Sequence, residues 1–262
     1  MSNTIRWGKI HGLSYSPETN LTGTATTPSF SNTLSTRFDG VDDFCETSAN
    51  YSELDGTNKA TFSFWIQPPS TIANFKIISS IIRNSTASHH QFQIILTTSA
   101  LIQISINTSS KYIRAASTPL NLNAWNHVMF CIDTSQGTGS QRGRVFINGV
   151  DSTSATTVSG TFPTSTGALY IGENENGYYN PFEGAIDEFA IWSGTDQRAN
   201  VSEIYGGGVA VNLNNLATAP SPSTWYRMGD GDTFPTLQDT NGSADLTMTN
   251  MTSGNIITDV PT

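Results

Sequence analysis

The chain has 262 residues, a formal net charge of −9 and 13% charged residues, about half the ~25% usual in soluble domains. Twelve Lys and Arg against 21 Asp and Glu exclude the basic face of a nucleic-acid binder, and the lack of Glu/Lys/Ala/Leu-rich heptads excludes a coiled coil. Ser, Thr and Asn fill about a third of the positions, yet 10% aromatics and repeated Ile, Val and Phe runs exclude disorder.

Residues 1–34, rich in Thr, Ser and Asn, read as an N-terminal arm. Its start has no apolar core of signal-peptide length, and no apolar run in the chain approaches the eighteen or so residues of a membrane span. Period-two alternation then dominates. TFSFWIQ (61–67) places Phe62, Phe64 and Ile66 on one face and Trp65 on the other. Phe92, Ile94 and Leu96 alternate next, followed by Ile102, Ile104 and Ile106, and by Val128, Phe130 and Ile132 in NHVMFCID (126–133). RVFINGV (144–150) ends in Asn148-Gly149, a strong hairpin signal, with 152–158 as the expected return strand. LYIGE (169–173) and GAIDEFAIW (184–192) follow, each bounded by Gly. One short helix is expected over 202–205, with Ser202 as N-cap and Gly206-Gly207-Gly208 as its stop. VNLNNLATAPSPS (211–223) reads as a linker, and 224–262 carries further strand-like pairs. Short strands at turn-punctuated spacing, with no recurring amphipathic helix, predict an all-β antiparallel two-sheet jelly-roll sandwich. Cys45 and Cys131 allow one bridge at most; Cys131 lies in an apolar run where a buried thiol is expected.

Six phrases recur in a known order: FDGVDDF (38–44), FSFWIQ (62–67), WNHVMFCID (125–133), VFINGV (145–150), YIGENENGYYNPFEGAIDEFAIW (170–192) and SEIYGGG (202–208). Together they resemble the laminin-G-like, concanavalin-A-like jelly roll over 35–208, an order that places the jelly roll at 35–210. The opening strand pattern of that family is missing before FDG and stands instead in TWYRMGDGDTFPTLQDTNGSADLTMTNM (224–251). The resemblance therefore implies that 224–262 closes the same sandwich as a permuted strand pair. Independently of the resemblance, the large aromatics Trp65 and Trp125 are expected as anchors in the space between the two sheets. The Ser/Thr/Asn-rich build is similar to that of laminin-G-like virion proteins of tailed bacteriophages.

The architecture includes glucanases, whose chemistry needs paired carboxylates ~5–9.5 Å apart. Glu53-Leu54-Asp55 begins such a pattern, but Gly56-Thr57-Asn58 follows and no third Glu completes it. His11, His89, His90 and His127 stand in no nucleophile motif. No catalytic residue is assigned. For a metal, the resemblance implies a structural Ca²⁺ on loop carboxylates. DTNGSAD (239–245) offers Asp239, Asn241 and Asp245 as hard donors around Gly242, with Asp187 as a distant ligand and Asp39 or Asp42 as weaker candidates. D-x-N-G is also ordinary turn chemistry, and a solvated Asx turn is the plainer reading of the same loop. For sugar, ENENGYYNPFEG (173–184) offers the amides of Asn174, Asn176 and Asn180 and the rings of Tyr178 and Tyr179, or else simply packs on the sandwich edge.

The reading that follows is a non-enzymatic, adhesive virion protein of a bacteriophage, located in the virion as a head decoration or fibre. Its partners would be other virion proteins, further copies of itself and a host surface glycan, with no nucleic acid and no membrane. The alternatives are a free-standing carbohydrate-binding lectin and a degenerate glycan hydrolase.

Overall fold

A computed structural model describes residues 30–82, 90–106, 112–115, 118–173 and 180–262. Alternation of β-branched and aromatic residues with Ser, Thr and Gln favours extended chain nearly throughout. Among the described residues the strands begin with β1 (Ser35–Asp39), β2 (Phe44–Thr47), β3 (Lys59–Gln67), β4 (Lys76–Ile82), β5 (His90–Leu96) and β6 (Ile102–Ile106). Next come β7 (Tyr112–Ala115), β8 (Asn126–Asp133), the helical turn α1 (Gly139–Arg142), β9 (Gly143–Ile147), β10 (Val150–Asp151) and β11 (Thr153–Thr156). The chain continues through β12 (Leu169–Ile171), β13 (Glu183–Ser193), α2 (Val201–Tyr205), β14 (Thr224–Tyr226), β15 (Thr236–Leu237), β16 (Leu246–Thr249) and β17 (Ile256–Ile257).

Two antiparallel sheets result. One runs β10-β9-β8-β3-β13-β1-β17, with β14 also paired to β13; the other runs β11-β7-β6-β5-β4-β12-β2-β16-β15. The inward faces meet as the alternation predicts. Phe62 and Phe92 approach to 4.7 Å between ring centroids across the core, and Phe64 stacks on Phe189 at 5.5 Å. Asn148 and Gly149 both take positive φ, 51° and 77°, as the two-residue hairpin between β9 and β10 requires. A Cβ on Gly149 would lie 2.6 Å from the Tyr205 ring, so the hairpin and α2 also need the missing side chain.

Three expectations are corrected. The stretch after the hairpin is not one return strand: β10 pairs with β9, whereas β11 crosses to the other sheet and pairs with β7. Trp65 does not fill the space between the sheets. It points outward, 5.0 Å from the His127 ring and stacked at 5.9 Å on Tyr205 of α2. Trp125 is only half-buried, with its indole N–H on the Asp259 carboxylate at 3.0 Å.

The outward burial has a cause. β8 is buried along both faces because a second hydrophobic cluster lies on the outer side of the eight-stranded sheet. Met129, Cys131, Ala190 and Trp192 meet Val201 and Ile204 of α2, Leu213 and Ala219 from the 211–223 stretch, and Trp225. That stretch is coil, docked rather than spanning solvent: Pro220 O accepts the Trp192 indole N–H at 2.7 Å. Residues 224–262 contribute to both sheets, through β14 on β13, β16 on β2 and β17 on β1. Cys45 and Cys131 are free, buried thiols whose pKa is raised by burial.

Candidate functional site

At one end of the sandwich three turns and the return from β12 to β13 converge. FDGVDDF reverses the chain at Gly40, with φ 78°, where a Cβ would stand 2.7 Å from the Glu183 Cβ. That close approach brings the β1–β2 turn against the start of β13. The turns after β3 and before β8 complete a cavity of about 330 Å³ lined by Arg37, Asp39, Gln67, Asn123 and Glu183 over a floor of Phe38 and Gly184. Its polar groups mix donors and acceptors and face a space of monosaccharide scale. No apolar slot dominates it.

Beside the cavity, carboxylate oxygens of Asp39, Asp42 and Asp43 lie within 4.8 Å of one another. Asp39 accepts the amides of Val41 and Asp42, at 2.8 and 3.4 Å, and Asp43 accepts the Asp39 amide at 3.0 Å and the Asn255 side chain at 2.8 Å. Burial, then the charge of Asp39, raises the Asp43 pKa. These are hard oxygen donors of the kind Ca²⁺ takes.

The expected ligands fall as follows. Asn174, Asn176, Tyr178 and Tyr179 lie outside the described residues. Asn180 is half-buried, and its carbonyl accepts the Ile77 amide at 3.3 Å, tying the end of the loop to β4. Glu173, at the loop's start, is buried, which raises its pKa. Asp239, Asn241 and Asp245 share one loop. Asp239 accepts the amides of Trp225, Asn241 and Ala244, at 3.0, 3.2 and 3.4 Å, while Asp245 accepts that of Asp239 at 2.9 Å. The Asn241 amide pairs with Asn214 at 2.7 and 2.9 Å. Asp187 belongs to another neighbourhood, on β13, where it accepts from Asn32 at 2.8 Å.

Asp187 and Glu188 form a buried carboxylate pair. Glu188 accepts the Trp225 indole at 2.6 Å and Arg227 at 3.1 and 3.2 Å. Burial raises both pKa values; for Glu188, Arg227 opposes the rise. Arg227 also lies 4.5 Å from the Phe30 ring centroid and donates to Ser31 O at 2.7 Å, so this network fastens the end of the arm. Asp55 is structural too, accepting Gln91 at 2.7 Å and the Ser165 amide at 2.9 Å. His127 is fully buried against Ser63 Oγ at 2.8 Å, and burial lowers its pKa to about 3. A base so sequestered has no substrate to reach.

Sequence reasoning named Asp39 but missed Arg37, Gln67, Asn123 and Glu183. Glu183 lies within the expected sugar loop, whereas Arg37 and Gln67 stand on β1 and β3 and Asn123 in the turn before β8, with no local signature.

The fold and this polar rim define a lectin-type jelly roll. The family profile described as the Concanavalin A-like lectin/glucanases superfamily matches residues 39–202, and the chain belongs to that family. Comparison with curated proteins found no match. Among solved structures, a Bacteroides ovatus protein provisionally assigned to carbohydrate binding aligns with TM-score 0.59 and 17% identity, covering 88% of this chain. The alignment spans 62% of that protein's length. The heptameric SAP-like pentraxin of Limulus polyphemus aligns with TM-score 0.55 and 17% identity, over 85% of this chain and 98% of the pentraxin. No described helix is long and apolar enough to cross a membrane.

Proposed function

We propose that the chain is a non-catalytic glycan-binding jelly-roll protein whose site is the rim cavity between Arg37, Gln67, Asn123 and Glu183. The observation that carries this reading is the convergence of those four side chains, from four separate segments, on one open polar cavity. Glu183 and Gly184, which line it, belong to the 173–184 stretch whose Asn174, Asn176, Tyr178, Tyr179 and Asn180 are the sugar ligands expected from the sequence. A glycan array probed with the full chain is expected to give binding that Gln67→Ala and Asn123→Ala abolish. An array silent at millimolar sugar, or binding indifferent to both substitutions, overturns the assignment.

We further propose that the protein is displayed on a bacteriophage particle, as a self-associating adhesive component beside other virion proteins. Support comes from the resemblance of its Ser/Thr/Asn-rich composition to phage laminin-G-like proteins and from the pentraxin relative's heptameric assembly. Detection of the chain in purified particles tests the first claim, and light scattering of the pure protein the second. A structural Ca²⁺ on loop carboxylates belongs to the same proposal; the gathering of Asp39, Asp42 and Asp43 supports that turn as its place, and the separate loop of Asp239, Asn241 and Asp245 is the alternative.

A further inference from the structure

Asp259 lies two residues past β17, beside the rim cavity on the outer side of the eight-stranded sheet. The register sets Arg37 of β1 and Gln67 of β3 each opposite Ala185 of β13, so the three make one row with the small alanine in the middle. Above that row sits the Asp259 carboxylate. One oxygen accepts the Trp125 indole N–H at 3.0 Å; the other accepts Gln67 Nε2 at 3.0 Å and lies 3.6 Å from Arg37 Nη2. Three donors from three segments thus enclose one carboxylate, and two of them, Arg37 and Gln67, also line the rim cavity.

We propose that this row is a carboxylate-recognition subsite for an acidic saccharide, with Asp259 as its internal occupant. The inference rests on the glycan-binding reading and deepens it. The occupant is weakly held: both partners of the ion pair are about half exposed, 52% for Arg37 and 47% for Asp259, and such pairs contribute little. The backbone beside it is fixed independently, by Ser35 Oγ on Asp259 O at 2.6 Å and by burial of Pro261. Asp259 can therefore swing out by side-chain rotation without peeling the strand away. Exchanging one carboxylate for another leaves the charge beside Arg37 unchanged, so the acidic chain does not forbid an acidic ligand here. A sugar acid also brings hydroxyls, for which Asp39, Asn123 and Glu183 supply acceptors and donors in the adjoining cavity.

The test is calorimetric titration of the full chain with glucuronic acid and N-acetylneuraminic acid, using glucose and acetate as controls. Removing a competitor that holds the subsite most of the time raises apparent affinity by the inverse of the free fraction, about tenfold where a tenth is free. Asp259→Ala is expected to bind a sugar acid about tenfold more tightly than the parent, with glucose unchanged; Arg37→Gln added to it should erase the gain. Asp259→Ser, which removes the carboxylate and keeps a short polar side chain at this exposed position, gives the same readout if the alanine variant folds poorly. No gain in either variant, an equal gain for glucose, or acetate binding as tightly as the sugar acids would overturn the proposal. No gain together with persistent neutral-glycan binding on the array defeats only this subsite, whereas a silent array defeats the glycan-binding reading itself.

Discussion

Deleting residues 224–262 should abolish the fold. Trp225, Tyr226, Met228, Leu237, Leu246 and Met248 are all at most 4% exposed. Burying such a side chain contributes ~1.5–3 kcal/mol, so the six together amount to about 9–18 kcal/mol before chain entropy is subtracted. Whole domains are stable by only ~5–15 kcal/mol. The loss is compounded because β1 and β2 each forfeit a paired neighbour, β17 and β16. Residues 1–223 should therefore express as insoluble material, or as a species without a cooperative thermal transition. Leu246→Ala supplies a graded version: a fully buried leucine, expected to cost ~2–5 kcal/mol in denaturant unfolding of the full chain. A truncated chain that stays soluble and melts as sharply as the parent would refute the reasoning, as would a Leu246→Ala variant within about 0.5 kcal/mol of it.

Burial lowers the His127 pKa to about 3 against 6.5, so below pH 6.5 the unfolded chain binds the extra proton and stability falls with pH towards 3; His127→Gln should flatten that acid limb in pH-dependent melts. The Asp187–Glu188 pair has the opposite sign. Its folded pKa values are raised, so the folded state holds a proton the unfolded one releases, and stability declines as pH rises above the ordinary carboxylate range, a decline that Asp187→Asn should reduce. Removing Arg227 as alanine should cost ~3–5 kcal/mol in chemical denaturation, because Glu188 then stays buried without its cation. If loop carboxylates hold Ca²⁺, a hundredfold excess over Kd adds ~2.7 kcal/mol of apparent stability; chelation should then lower the Tm, and the comparison of Asp42→Ala with Asp245→Ala tells which loop is responsible.

Much of the fold could be read along the chain, because its signals are local. The alternation in FSFWIQ set Phe62, Phe64 and Ile66 inward, and Asn148-Gly149 marked its hairpin. What escaped was non-local. NHVMFCID looked like a strand with one apolar face, but the 201–219 stretch covers the other side, and nothing near His127 or Met129 announces that cover. For the same reason Trp65 could be placed opposite Phe64 by period and still be mistaken for an inter-sheet anchor. The rim cavity was harder still. Asp39 and Glu183 lay in phrases that drew notice, but Asn123 and Asp259 meet them only through tertiary folding, and a lone Asn or Asp in a polar turn carries no mark of its neighbours.

The strand order has a consequence for biosynthesis. On one side of the sandwich the borders of both sheets, β10 and β11, come from a single short pass of chain; on the other, both borders, β17 and β15, come from the segment after residue 223. Ser35 meets Ile257 across that second border, more than two hundred residues later in translation. Until then a nascent chain presents two unsealed sheets, each able to recruit strands from neighbouring chains on the same message. Sealing of both sheets should thus wait on the segment after residue 223, and any delay in its arrival should favour association between chains over completion of either sheet.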